Sequence, residues 1–151
     1  MVFENPQPGE LVGRSSNEIH LLLEDLLRRG IQVAFGGDKV RGCGGMGYLL
    51  PIKSGIVFNG RGIATVGSEY VIPSDSHGCM GCPHRCTGQV VSGLADFFVD
   101  SKPVAIVGSQ GVHAACCGPN TGTVVEGYKS SYVPKAPPKI QPVGIRLSRY
   151  R

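Results

Sequence analysis

The sequence predicts an all-β domain preceded by one α-helix. Three observations carry that expectation. Glycine and proline are abundant, 23 and 11 in 151 residues, and they punctuate short apolar runs of strand length. Short segments recur at fixed offsets, the mark of a repeated unit. Apolar residues at helical spacing form one convincing stretch, close to the N-terminus.

Composition narrows the function classes. The length suits one domain. An apolar content of 41% and a net charge of +4 exclude a disordered chain. That charge is modest, and neither a basic helix nor an aromatic-basic alternation appears, so no nucleic-acid partner is expected. No apolar run approaches the ~18 residues of a membrane span. Met1-Val2-Phe3-Glu4-Asn5 has no basic segment followed by an apolar one, so the sequence predicts no signal peptide and synthesis in the cytoplasm. Thiols stay reduced there, and clustered thiols bind metal more often than they pair. Disulfides formed after export and plain buried cysteine are the alternatives, although adjacent Cys116-Cys117 makes a poor disulfide framework.

In chain order, residues 1–14 are polar and proline-broken and read as an arm or loop. Residues 15–29 read as the helix. Ser15-Ser16-Asn17-Glu18 is a capping box, and Ile19, Leu22, Leu23, Leu26 and Leu27 form one apolar stripe. Arg28 and Arg29 suit the negative helix end, and Gly30 is a terminator. The stripe suits a helix that covers an open edge or end of the β-domain; docking to a partner chain is the other reading. His20, beside the stripe, reads as a packing or surface residue.

From residue 31 the repeats begin. Ala34-Phe35-Gly36-Gly37-Asp38 matches Ala64-Thr65-Val66-Gly67-Ser68, and Ile63–Ser68 matches Val104–Ser109. Thr87-Gly88-Gln89-Val90-Val91-Ser92-Gly93 matches Thr121-Gly122-Thr123-Val124-Val125-Glu126-Gly127. Each unit reads as a short strand, a loop with cysteine or histidine, and a second strand. The first two units add a third strand, at 56–59 and 97–100, with turns at Asn59-Gly60 and Asp100-Ser101. One unit cannot bury its own strands, so the three are expected to share a core. The tail is proline-rich at 133–140 and basic, with apolar alternation, at 145–151. The expected organisation is an arm and helix over 1–30, a β region over 31–133 and a tail over 134–151.

The cysteines and most histidines sit in the loops of these units: Cys43 in the first, His77, Cys79, Cys82, His84 and Cys86 in the second, and His113, Cys116 and Cys117 in the third. Cys79-Met80-Gly81-Cys82 has the spacing that lets two thiolates face one tetrahedral zinc. If the units pack around a three-fold axis, the three loops meet at one end, where an ion replaces a missing apolar interior.

These residues resemble the PAAR-repeat proteins. The resemblance covers residues 31–133 and is carried by Asp38–Gly47 with its Cys-Gly-Gly-Met-Gly, by Ser76–Gly88 and by Gly111–Asn120. The motif that names the family is degenerate at Gly62–Thr65 and Pro103–Ile106, with no arginine in its final place, and Gly-Asp survives at Gly37-Asp38. The resemblance implies a small all-β cone of three pseudo-repeats with a metal-bound apex. Its broad base would sit on a trimeric valine-glycine-repeat (VgrG-like) or phage-like spike, one tip per trimer. The machine would be a type VI secretion apparatus, an extracellular contractile injection particle or a phage tail. Delivery would bring the tip to a target membrane, with effector cargo attached separately. It implies a structural zinc, or iron in its place, held by Cys43, Cys82, His84, His113 and Cys117, with His77, Cys79, Cys86 and Cys116 in reserve. Five ligands exceed a tetrahedral set, so at least one is surplus.

Two other classes compete. A deaminase needs a one-residue spacer and then a glutamate after a histidine, and His77-Gly78 is followed by Cys79. A thioredoxin-like reading of Cys-x-x-Cys needs a βαβ context that the pattern lacks. An enzyme is therefore not expected. A zinc-binding adaptor module needs only two short knuckles, which the long repeat periods disfavour.

Overall fold

A computed structural model describes residues 8–42, 44–53, 56–75, 84–113 and 120–129. In chain order the elements are β1 (Gly9–Glu10), α1 (Ser16–Arg28), β2 (Lys39–Arg41), β3 (Met46–Leu49), β4 (Val57–Phe58), β5 (Arg61–Gly62), β6 (Glu69–Asp75), β7 (His84–Val90), β8 (Leu94–Val99), β9 (Lys102–Val104), β10 (Gln110–His113) and β11 (Asn120–Val124). The described residues are thus β-rich with one helix, as the sequence predicts.

Six strands close a barrel in the order β10-β11-β2-β3-β6-β7, antiparallel throughout, with β7 returning to β10. It consists of three hairpins, β2/β3, β6/β7 and β10/β11. Because every neighbour is antiparallel, the first strands of all three hairpins run the same way. Their far ends, at Arg41/Met46, Asp75/His84 and His113/Asn120, therefore lie at one end of the barrel. Pro73, which cannot donate to a ladder, falls at the register shift between Ile72 and Asp75 in β6.

The repeats noted in the sequence are the three entries into these hairpins, and they bond to each other in a ring. The Ala64 amide donates to the Ala34 carbonyl at 2.9 Å, Ala105 to Ala64 at 2.8 Å, and Ala34 to Ala105 at 2.9 Å. Single bridges Phe35–Ile63, Thr65–Val104 and Val33–Ile106 flank the ring. Each entry then turns through a glycine with positive φ, Gly37 (93°), Gly67 (96°) or Gly108 (100°), a conformation that costs glycine little. The next residue closes the turn with its side chain. Asp38 Oδ2 accepts from the Phe35 amide at 2.8 Å, and the Ser68 and Ser109 hydroxyls accept from the Thr65 and Ile106 amides at 2.9 Å.

Alternation along the entries builds two cores. Ala34, Ala64 and Ala105 face the barrel core with Val40, Leu49, Tyr70, Ile72, Val90 and Val124. Val33, Phe35, Ile63 and Val104 face the other way, into an end core. That core is completed by Leu11, by Ile19, Leu22, Leu23 and Leu26 of α1, and by Phe97 and Val99 of β8. So α1 covers the barrel end opposite the hairpin tips and shares its core with the β region.

The helix starts as its local sequence dictates. The Glu18 amide donates to the Ser15 hydroxyl at 3.2 Å and the Ser15 amide to the Glu18 carboxylate at 2.9 Å. The outer hairpins β4/β5 and β8/β9 turn at Asn59-Gly60 (φ 53° and 78°) and Asp100-Ser101 (φ 52° and 67°), the left-handed pairs that match strand twist. The N-terminal arm adds β1 in parallel to β8, and the Glu10 carboxylate accepts from the Asp100 and Ser101 amides. After β11, Tyr128 donates its amide to Val33 and its hydroxyl to the Glu24 carboxylate of α1. Burial first, then the Glu24 bond and charge, raise that phenol far above its usual pKa. Among the described residues no helix is long and apolar enough to cross a membrane.

Candidate metal-facing end of the barrel

The register orders the barrel interior in tiers. Counting two and four residues from the turn-closing Asp38, Ser68 and Ser109, the first strands present Val40, Tyr70 and Gly111, then Gly42, Ile72 and His113. Counting back from Leu49, Val90 and Val124, the second strands present Gly47, Gly88 and Gly122, then Gly45 and Cys86. The interior thus changes character along its axis. Branched aliphatic side chains fill it next to the alanine ring, one large ring stands beside Val40 among glycines in the middle tier, and a histidine and a cysteine join Ile72 in the tier nearest the tips.

His113 is 4% exposed, and its Nδ1 lies 2.7 Å from the Tyr70 hydroxyl, the two rings meeting edge-on at 5.6 Å. Cys86 is also 4% exposed. It sits on the neighbouring strand β7, two residues beyond Gly88, the residue paired with His113. The structure therefore places one expected ligand, His113, and one reserve, Cys86, in the same tier. His84 begins β7 opposite Asp75; its side chain lies outside the described residues. Cys43, His77, Cys79, Cys82, Cys116 and Cys117 also lie outside them. Among the described residues alone, no three histidine, cysteine, aspartate or glutamate side chains gather into a metal-holding group.

Two residues that matter here were not singled out from the sequence. Tyr70 is fully buried in the barrel core. A Cβ at Gly88 would come within 2.7 Å of the Tyr70 ring and hydroxyl, at Gly111 within 2.4 Å, and at Gly122 within 3.0 Å. Three glycines on three strands make room for one ring. That glycine pattern, set against a single tyrosine at an inward position, was the available signal. The second is Arg61, whose Nη2 lies 2.5 Å from Asp38 Oδ1 and whose Nε donates to the Gly36 carbonyl at 2.7 Å. Asp38 is fully buried and charged where the other two units use neutral serine, so it needs a cation that they do not.

Comparison with family models, with curated proteins and with solved structures finds no match.

Proposed function

We propose that this chain is the tip of a contractile injection machine, capping a trimeric spike and acting mechanically rather than as an enzyme. One observation carries the reading: three equivalent hairpins run their free ends to the same end of one closed barrel. Five of the six cysteines, Cys43, Cys79, Cys82, Cys116 and Cys117, belong to the segments that join those ends, and the sixth, Cys86, lines the tier beneath them. Finer than the barrel itself, the reading makes this end a cone apex closed by a bound zinc, with three pseudo-repeats supplying the donors.

The described donors fit such an ion. His113 is buried with one nitrogen engaged by Tyr70, and a thiol stands in the same tier. His113 would hold the metal with donors from Cys43, Cys82, His84 and Cys117. When bound, zinc supplies a fixed tetrahedral cross-link worth on the order of 10 kcal/mol of folding free energy in small structural sites. The alanine ring gives the rest of the barrel a pseudo-three-fold frame, and a true trimer can meet such a frame through near-equivalent contacts on each side. Elements packed on the end core expose Val12, Leu21 and Val57 at 42%, 41% and 58%, and this layer would face the spike.

The test joins elemental analysis of purified protein with binding to a trimeric spike protein. The expected result is one zinc per chain and one chain per trimer. Cys43→Ser and Cys117→Ser should lower metal content and melting temperature together; unchanged metal removes those thiols from the site. A metal-free protein overturns the apex. A metal-bound protein that ignores trimeric spikes favours the adaptor module instead.

A further inference from the structure

We infer that the outer face of the first hairpin, Lys39 and Arg41 on β2 beside Met46 and Tyr48 on β3, docks an extended segment of a partner protein in which acidic and apolar residues alternate. The inference goes beyond the proposed function and depends on neither the metal nor the spike.

The three hairpins supply their own control. Their ladders make four outward positions equivalent in each. The first hairpin pairs Lys39 with Tyr48 and Arg41 with Met46. The second pairs Glu69 with Gln89 and Val71 with Thr87. The third pairs Gln110 with Thr123 and Val112 with Thr121. On the second strands of those two hairpins the barrel stands on threonine and glutamine. At the same places β3 carries a methionine that is 49% exposed and a tyrosine that is 43% exposed. Among the first strands, β2 alone has cations at these positions. Both are exposed, and among the described residues neither takes part in an ion pair. Closing the barrel therefore does not require these four residue types.

Their arrangement selects the partner. Gly37, Lys39, Met46, Gly47 and Tyr48 line a groove of about 330 Å³, with cations on the β2 side and the apolar pair on the β3 side. Both edges of β2 and of β3 are already paired within the barrel, so an occupant adds no strand and is held through side chains. An extended chain sends successive side chains to opposite sides and repeats every two residues, about 6.5–7 Å. Lys39 and Arg41 stand two residues apart on one strand, and Met46 and Tyr48 two apart on the other. A segment that alternates acidic with apolar residues, laid along the groove, places its carboxylates over β2 and its apolar side chains over β3. Exposed ion pairs contribute little each, so the tyrosine and methionine supply contact area while the cations set sign and register. This chain's own basic end has the wrong charge: Ile145-Arg146-Leu147-Ser148-Arg149-Tyr150-Arg151 alternates apolar residues with arginine. The occupant is thus a second molecule.

The experiment uses the full chain and a short fluorescent peptide that alternates glutamate with valine, followed by anisotropy. The wild type should bind it, and binding should weaken severalfold as salt rises from about 50 to 300 mM. The same peptide with lysine for glutamate should not bind. Giving the first hairpin the outer face of the third, by Lys39→Gln, Arg41→Val, Met46→Thr and Tyr48→Thr, should lower affinity by about 10-fold or more and keep the melting temperature near wild type. A second variant, Lys39→Gln with Arg41→Gln, leaves β3 as it is; it should lower affinity by about 3- to 10-fold and abolish the salt dependence. A wild type that does not bind the acidic peptide overturns the inference, and so does wild-type affinity in both variants. A peptide of the same composition with its glutamates in one block should bind more weakly; equal binding overturns the extended register. Wild type that binds phosphatidylserine vesicles but not the peptide makes this face a membrane contact and overturns the inference as well.

Discussion

The two cores of this protein are built by different rules. The end core under α1 is a conventional apolar cluster: leucines from the helix meet Phe35, Ile63, Phe97 and Val104 with little polar content. The barrel core starts the same way at Leu49, Val90 and Val124, then takes in glycines, one tyrosine, one histidine and one cysteine beside Val40 and Ile72 toward the tips. The first can stand on hydrophobic burial alone. The second loses apolar volume on the way to the tips, because four of the six inward positions in its middle tier are glycine. Stability and site are thus divided along one axis, with the alanine ring as the boundary between them.

The largest perturbation that tests this division is Phe35→Ala. It removes a ring that is 1% exposed and should cost about 3–5 kcal/mol by denaturant titration, while zinc affinity at the proposed apex should stay as it was. A parallel loss of zinc affinity would show that the two cores are not separate. Next in size is Gly111→Ala, which sets a methyl 2.4 Å from Tyr70 Cε2 and 2.9 Å from the Gln89 carbonyl. Overpacking of this kind costs about 1–3 kcal/mol, and because it moves Tyr70, stability and zinc affinity should fall together. Smaller again is Ser15→Ala, which removes the helix cap at about 1 kcal/mol and should be silent at the tips.

The smallest effect is a pH dependence. The Ser15 amide and then its hydroxyl hold the Glu18 carboxyl below its ordinary value of 4.5. The contribution of Glu18 is therefore complete above that value and fades as pH falls through the lower folded one. Glu18→Gln should flatten this part of the acid limb of the melting curve and leave the tips untouched.

What the sequence made legible is what is local. The capping box, the helical stripe, and the turns at Asn59-Gly60 and Asp100-Ser101 each depend on neighbours a few residues away, and each is found where it was expected. The matched alanines were visible as a repeat, but not as a ring of hydrogen bonds. Closure of the barrel rests on the β7–β10 and β11–β2 ladders, whose partners are far apart in sequence and carry no local mark. The Tyr70–His113 contact spans 43 residues and was hidden for the same reason. Of the five expected ligands, His113 alone has a described side chain, and it was legible as a residue type in a loop rather than as one half of a bonded pair.

The ring at Ala34, Ala64 and Ala105 has no beginning and no end, and that governs how the molecule comes into being. Its links span 30 residues from Ala34 to Ala64 and 41 from Ala64 to Ala105, so the chain must surrender the freedom of both intervals before the circuit rewards it. Two thirds of the circuit is worth little, because each peptide unit would leave a neighbour unanswered in a dry interior. Assembly should accordingly be slow and all-or-none. Removing one repeat would break two of the three links at once, whereas an open solenoid loses only a neighbour.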